Sequence, residues 1–140
     1  MVSESFVLDA SVTAAWCFRN EANARSTALL ESLRQRQAVV PGLWHIESAN
    51  MLLQAERRRR ITEADCVALI EFVAALPVET DTGSESRAHR AILDLARRHN
   101  LTAYDATYLD VALRRSLPLA TRDRDLAAAA REAGVPLIDA

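Results

Sequence analysis

LPLATRDRDLAAAAREAGVPLID, residues 117–139, compresses an architecture into 23 positions. A short apolar run, PLAT, is followed by a polar turn. An alanine-rich helix over RDLAAAARE ends at Gly134, and a second apolar run, VPLID, follows. Strands of this kind, too short and too apolar for one-sided exposure, belong to a sheet covered on both faces. A helix between two of them makes the strands parallel.

The same alternation runs back along the chain. SFVLDAS (5–11) reads as a buried strand ending at Asp9, and VTAAWCF (12–18) as a helix. NEANARSTALLESLRQRQ (20–37) is a helix with Ala24, Ala28, Leu29 and Leu33 on one side. AVVPG (38–42) is a strand stopped by Pro41 and Gly42. LWHIESANMLLQAERRRR (43–60) and TEADCVALIEFVAAL (62–76) are helices, the second with Thr62 as cap. PVETD (77–81) is a third strand, and SESRAHRAILDLARRHN (84–100) a helix stopped at Asn100. LTAYDATYLDVALRRS (101–116) restarts behind Thr102. The expectation is one domain over residues 1–140: a three-layer α/β/α sandwich around a parallel sheet of about five short strands.

Composition narrows the class. Half of the 140 residues are hydrophobic, enough for a core without staples, and no apolar run is long enough to span a bilayer. The start, MVSESFVLDAS, has no basic segment before a long apolar one, which argues against a secretory signal and for a cytoplasmic protein. Cys17 and Cys66 fall in apolar helical patterns and read as reduced core thiols. Net charge is −2, against a general nucleic-acid binder. All 17 basic residues are arginine, which suits phosphate and excludes any mechanism built on a lysine.

In doubly covered parallel sheets, function gathers beyond the carboxyl ends of the strands. Asp9 and Asp123 each follow a strand. Asp105 lies in the first turn of its helix, and Glu47 in the first turn or so of the helix after strand two. All four can face one crevice. Two unit charges about 4 Å apart repel by roughly 4 kcal/mol at an effective dielectric near 20, a cost that a divalent cation removes. Oxygen-only donors suit Mg²⁺ or Mn²⁺ rather than zinc. Each acid also has a plain reading as a helix cap or dipole complement. Asn50, one turn from Glu47, could order the site. Asp125 is rotated away from Asp123 by the helix and reads as a first-turn acid with a possible supporting part.

FVLDASVTAAW, the Glu of HIESAN, LTAYDATYLDVAL and LPLATRDRDLAAAAREAGV together resemble a PIN domain of the VapC toxin type. The similarity covers nearly the whole chain, and YDATYL followed by LATRDRDL is its most specific part. It implies a metal-dependent endoribonuclease with Mg²⁺ or Mn²⁺ held by Asp9, Glu47, Asp105 and Asp123. The hydroxyl positions fall on Ser11 and Thr121, which would orient carboxylates. It also implies RNA hydrolysis to 5′-phosphate and 3′-hydroxyl ends, a small VapB-like antitoxin as partner, and a homodimer.

Other readings fit less well. A receiver-like domain needs a lysine after a late strand, and none exists. A haloacid-dehalogenase-type site wants an acid two residues beyond Asp9, where Ser11 stands. A non-catalytic binding module would not need all four acids. Arg122 and Arg124, flanking Asp123, are placed to touch an RNA phosphate. The run Arg57 to Arg60 reads as a solvated helix end or a second backbone contact. His45, His89 and His99 read as surface residues. Tyr104 and Tyr108 share a helix face and read as packing residues. Trp16 and Trp44 read as core or interface.

Overall fold

The computed structural model describes residues 4–140. Five parallel strands, β1 (Ser5–Leu8), β2 (Gln37–Pro41), β3 (Val78–Asp81), β4 (Leu119–Ala120) and β5 (Leu137–Ile138), form one sheet in the order β3-β2-β1-β4-β5. Chain order reverses beside β1, so the crevice expected of such sheets opens at the ends of β1 and β4. Among the described residues seven α-helices pack on the sheet: α1 (Ala10–Cys17), α2 (Ala24–Ser32), α3 (Gly42–Arg57), α4 (Glu63–Ala74), α5 (Leu93–His99), α6 (Ala103–Arg115) and α7 (Arg124–Glu132). The expected α/β/α sandwich is the observed architecture. No helix among the described residues is long and apolar enough to cross a membrane.

The central strand carries the core. Phe6, Val7 and Leu8 are fully buried, as are Ala38, Val39 and Val40 of β2 and Leu119 and Ala120 of β4. Side chains of a strand alternate between faces. Burial of successive residues therefore requires cover on both sides, and α6 supplies part of it with Tyr108, Leu109 and Val111. Cys66 is buried and Cys17 partly so, and both are free thiols. Burial, helped by the charge of Glu21, pushes Cys17 up to about 11, which leaves it a poor nucleophile.

Local signals set most helix ends. Thr62 and Asp65 form a reciprocal capping box, and Thr102 accepts from the Asp105 amide. Asn100 closes α5 in the left-handed conformation that asparagine tolerates best after glycine. Two expected helices are interrupted. Residues 20–37 divide into a 3₁₀ turn, Arg19–Glu21, and α2, because Asn23 accepts from the Ser26 amide while Ser26 Oγ accepts from the Asn23 amide. Residues 84–100 begin as a 3₁₀ turn and a wide π-turn, Ala88–Ile92, before α5.

That interruption coincides with an ionic anchor. Asp110, 2% exposed on α6, accepts three hydrogen bonds from Arg87 and one from Arg114. Arg114 also donates to Asp81 at the end of β3, at 2.7 Å. Arg115 reaches Glu79 and Asp81. Gly83 makes room for this: a Cβ there would lie 3.0 Å from Arg114 Nη1. Removing one member of a buried ionic set leaves the others uncompensated. Asp110→Ala should therefore lower the free energy of unfolding by about 3 kcal/mol, read from the urea midpoint.

Candidate active site

The register of β1 against β4 builds the centre of the crevice. Val7 pairs with Leu119 and Leu8 with Ala120, and the Asp9 amide donates to the Ala120 carbonyl. The next residues, Asp9 and Thr121, therefore stand side by side past the sheet. Asp9 occupies the N-cap position of α1 but makes no side-chain cap bond. Its Oδ2 instead accepts from Ser11 Oγ and from Thr121 Oγ1, both at 2.7 Å. The capping explanation for this residue is thereby set aside.

Each hydroxyl has a determined polarity. Ser11 Oγ accepts from the Arg122 amide at 2.9 Å, and Thr121 Oγ1 accepts from the Asp123 amide at 3.0 Å. With an N–H arriving at the oxygen, the hydroxyl proton goes to Asp9. Two backbone donors of the β4–α7 turn are thus relayed to one carboxylate. Burial raises the pKa of Asp9, and the charge of Asp123 adds to this; the Thr121 and Ser11 hydrogen bonds oppose it without cancelling it.

Glu47 sits in the second turn of α3, slightly deeper than its sequence position suggested. Its Oε1 accepts from the Tyr108 hydroxyl at 2.5 Å. Burial raises its pKa, the Tyr108 bond lowers it, and Asp9 raises it again. Asp105 lies in the first turn of α6, and burial moves it up to about 6, assisted by the charges of Asp123, Asp9, Glu47 and Asp125. The charges of Asp9, Glu47 and Asp123 thus all bear on Asp105. Asp123 is a true N-cap of α7: its Oδ1 accepts from the Leu126 amide at 2.9 Å.

Among the described residues no three acids, histidines or cysteines are close enough as placed to hold an ion without adjustment. The donors are nonetheless of the right chemical kind, all oxygens, as Mg²⁺ or Mn²⁺ prefers. Asp9, Glu47 and Asp123 each hold one carboxylate oxygen in hydrogen bonds from the protein, from Ser11 and Thr121, from Tyr108 and from the Leu126 amide respectively.

The remaining expected residues divide. Ser11 and Thr121 join the centre. Asp125 is exposed, yet its charge reaches Asp105. Asn50 is exposed and makes no side-chain hydrogen bond among the described residues. Arg122 spends one guanidinium N–H on the Glu21 carbonyl and keeps others free. Arg124 is exposed at the start of α7. In the Arg57–Arg60 run, Arg60 stacks 4.8 Å over Phe18 and donates to Glu21, while Arg57, Arg58 and Arg59 are exposed.

Three expectations are corrected. The His99 side chain is only 5% exposed, because α7 packs over the end of α5, whereas His45 and His89 are at the surface as expected. Tyr104 is 61% exposed and packs little, because it precedes the point where α6 meets the sheet. Tyr108, expected only to pack, also donates to Glu47, a contact spanning 61 residues. Trp44 is a further supporting residue: buried, it donates from Nε1 to Thr13 Oγ1 at 3.0 Å and so ties α3 to α1. Trp16 donates to the Ser26 carbonyl.

The PIN domain profile matches residues 6–132. Among solved structures, PAE2754 from Pyrobaculum aerophilum is similar at 26% identity and a TM-score of 0.66, over 91% of this chain and 79% of that one. VapC20 of Mycobacterium tuberculosis, a sarcin-ricin loop cleaving toxin, matches at 18% identity and a TM-score of 0.67, over 96% and 99%. FitAcB from Neisseria gonorrhoeae matches at 19% and 0.67, over 96% of each chain. At those identities the last two establish a common fold. No curated protein matches the sequence significantly.

The crowding of charge has a thermal consequence. Folded Asp105 binds its proton up to about pH 6, against an ordinary 3.8. A raised carboxyl favours the fold fully only below the lower value, and that contribution is lost as pH climbs through the higher one. In EDTA at pH 8, Asp105→Asn should be more stable than the parent by about 1–2 kcal/mol, several degrees in Tm. Most of the gain should vanish at pH 4, as scanning calorimetry at the two pH values will show.

Proposed function

This chain belongs to the PIN domain family, whose profile spans residues 6–132, and from that premise we propose that it is a metal-dependent endoribonuclease, the toxin of a toxin–antitoxin pair. The observation that carries the proposal is the placement of Asp9 past β1, level with Thr121 past β4, with its Oδ2 held by the Ser11 and Thr121 hydroxyls in a chain that matches the PIN profile. Likeness to VapC20, a toxin that cleaves the sarcin-ricin loop, supports RNA as the substrate. The further particulars of the reading are a single domain over 1–140, a small VapB-like antitoxin as partner, a homodimer and a cytoplasmic site of action.

In this reading Asp9, Glu47, Asp105 and Asp123 would hold Mg²⁺ or Mn²⁺, which would supply positive charge for activating water and for stabilising the phosphodiester. The chain's own work is positional. Ser11 and Thr121 fix the rotamer of Asp9. Tyr108 fixes Glu47, and the Leu126 amide fixes Asp123. Trp44 keeps the helix bearing Glu47 at a set distance from the helix that follows Asp9. Arg122 and Arg124 meet the phosphate backbone with the guanidinium N–H groups not otherwise used.

A receiver-like role finds no support, since the chain contains no lysine. A non-catalytic module remains the alternative outcome of the test. Purified protein should cleave an RNA pool with Mn²⁺ or Mg²⁺ and stop with EDTA, and Asp9→Asn should lose at least about 10³-fold, read from labelled RNA on gels. Cleavage that survives both EDTA and Asp9→Asn overturns the reading. Calorimetric titration with Mn²⁺ that shows no binding favours the module.

Tyr108 provides a finer test of positioning. Tyr108→Phe keeps the buried ring and removes the donor to Glu47. Metal affinity should fall about 10–100-fold, the usual effect of losing a bond that orients a ligand. Titration with Mn²⁺ measures it, with the melting temperature as a control for folding.

A further inference from the structure

Beside the acidic crevice lies a small polar cavity of about 170 Å³, walled by His99, Asn100, Asp125, Ala128, Ala129 and Glu132. It forms where the end of α5 meets one face of α7. Asp125, in the first turn of α7 two residues beyond its N-cap Asp123, lies on the cavity wall and places it next to the crevice. The His99 side chain is only 5% exposed, and its Nδ1 is buried without a hydrogen bond. The nearest carboxylate oxygen, Glu132 Oε2, is 3.7 Å away, beyond hydrogen-bond reach. Buried polar atoms are almost always satisfied, and one that is not calls for a partner such as a water, an ion or a ligand. Asn100 already serves as the left-handed stop of α5, but that role uses its backbone. Its side-chain amide makes no hydrogen bond among the described residues.

The volume lies well below the roughly 300–1,000 Å³ of pockets for drug-sized ligands and suits a single flat heterocycle. The walls are chemically one-sided, with two carboxylates as acceptors, one amide and one imidazole. Single-stranded RNA offers bases for this kind of reading, splayed out, stacked on a ring such as histidine and bonded along their edges.

We propose that the His99–Asn100–Asp125–Glu132 cavity is a subsite for a guanine base of the RNA, next to the scissile phosphate held at the acidic crevice. The proposal rests on the ribonuclease reading above and names a specificity element for it. Guanine alone presents two adjacent donors, N1–H and N2–H, that one carboxylate accepts together. Its O6 and N7 acceptors are left for the Asn100 amide and the His99 ring. Uracil and cytosine cannot offer that pair of donors.

The test needs neither metal nor cleavage. Protein in EDTA is titrated with guanosine, adenosine, cytidine and uridine while the ring resonances of His99 are followed by NMR, assigned with His99→Gln. Guanosine should shift them saturably, with affinity at least fivefold above the other three. Glu132→Gln, which replaces an acceptor with a donor, should abolish that preference. Asn100→Gly, which keeps the left-handed stop and removes the amide, should weaken guanosine binding at least threefold. No shift with any nucleoside, equal shifts with all four, or a preference untouched by both variants overturns the subsite. If instead the protein cleaves no RNA with Mn²⁺, the ribonuclease reading fails, while the nucleoside titration still decides the cavity.

Discussion

The Asp9 carboxylate is the point on which the crevice depends. It is 5% exposed, and among the described residues no arginine forms a salt bridge with it. Burying an ionisable group in this way is costly unless hydrogen bonds answer it. The answer comes from two hydroxyls, each ordered by a backbone amide of the turn after β4. A parallel register brings Asp9 level with Thr121, and a reverse arrangement of those strands would separate them. Fold and site are thus one constraint. The sheet pairing places the carboxylate, and the carboxylate's need for donors orders the β4–α7 turn that also carries Asp123.

The architecture was readable in the sequence because it is written in local terms. Apolar strands of four or five residues, caps such as Thr62 and Thr102, and the stop at Asn100 all act within a few residues. The acids at strand ends follow from the same reading, since topology alone puts them at one edge. The hydroxyl positions Ser11 and Thr121 follow instead from family resemblance, and in the structure both donate to Asp9 Oδ2. What escaped depends on partners distant along the chain. The bond from Tyr108 to Glu47 has no sequence signal beyond an aromatic on a buried face. His99 lies under α7 because of how two helices cross, not because of its neighbours. Tyr104 and Tyr108 share a periodicity, but only one meets the sheet. The break at Ala88–Ile92 follows directly on Arg87, which bonds Asp110 of α6, a contact that periodicity does not encode.

The two ionic systems of the molecule are opposites. At the far end of α6 and β3, Asp110 and Asp81 are compensated by Arg87, Arg114 and Arg115, which makes that corner a rigid tie. At the crevice the carboxylates have hydroxyls, an amide and a phenol for company, but no arginine among those bonds. The same helix, α6, carries a member of each: Asp105 at its start and Asp110 in its middle. Charge balance on one side of the helix fixes its placement, and so the uncompensated acid at its start is presented at a defined position.

The sheet is also uneven. β1, β2 and β3 have four or five residues each, whereas β4 and β5 have only two. The ladder holding the β4–β5 half is correspondingly thin, and the Asp9–Thr121 bond crosses the boundary between the two halves. Opening events in proteins follow such boundaries and cost far less than global unfolding. A thin ladder of this kind favours opening at the seam beside β4. Amides of the β4–α7 turn should exchange with solvent ahead of those of β1 and β2, and whatever neutralises the crevice will act as a clasp on that motion.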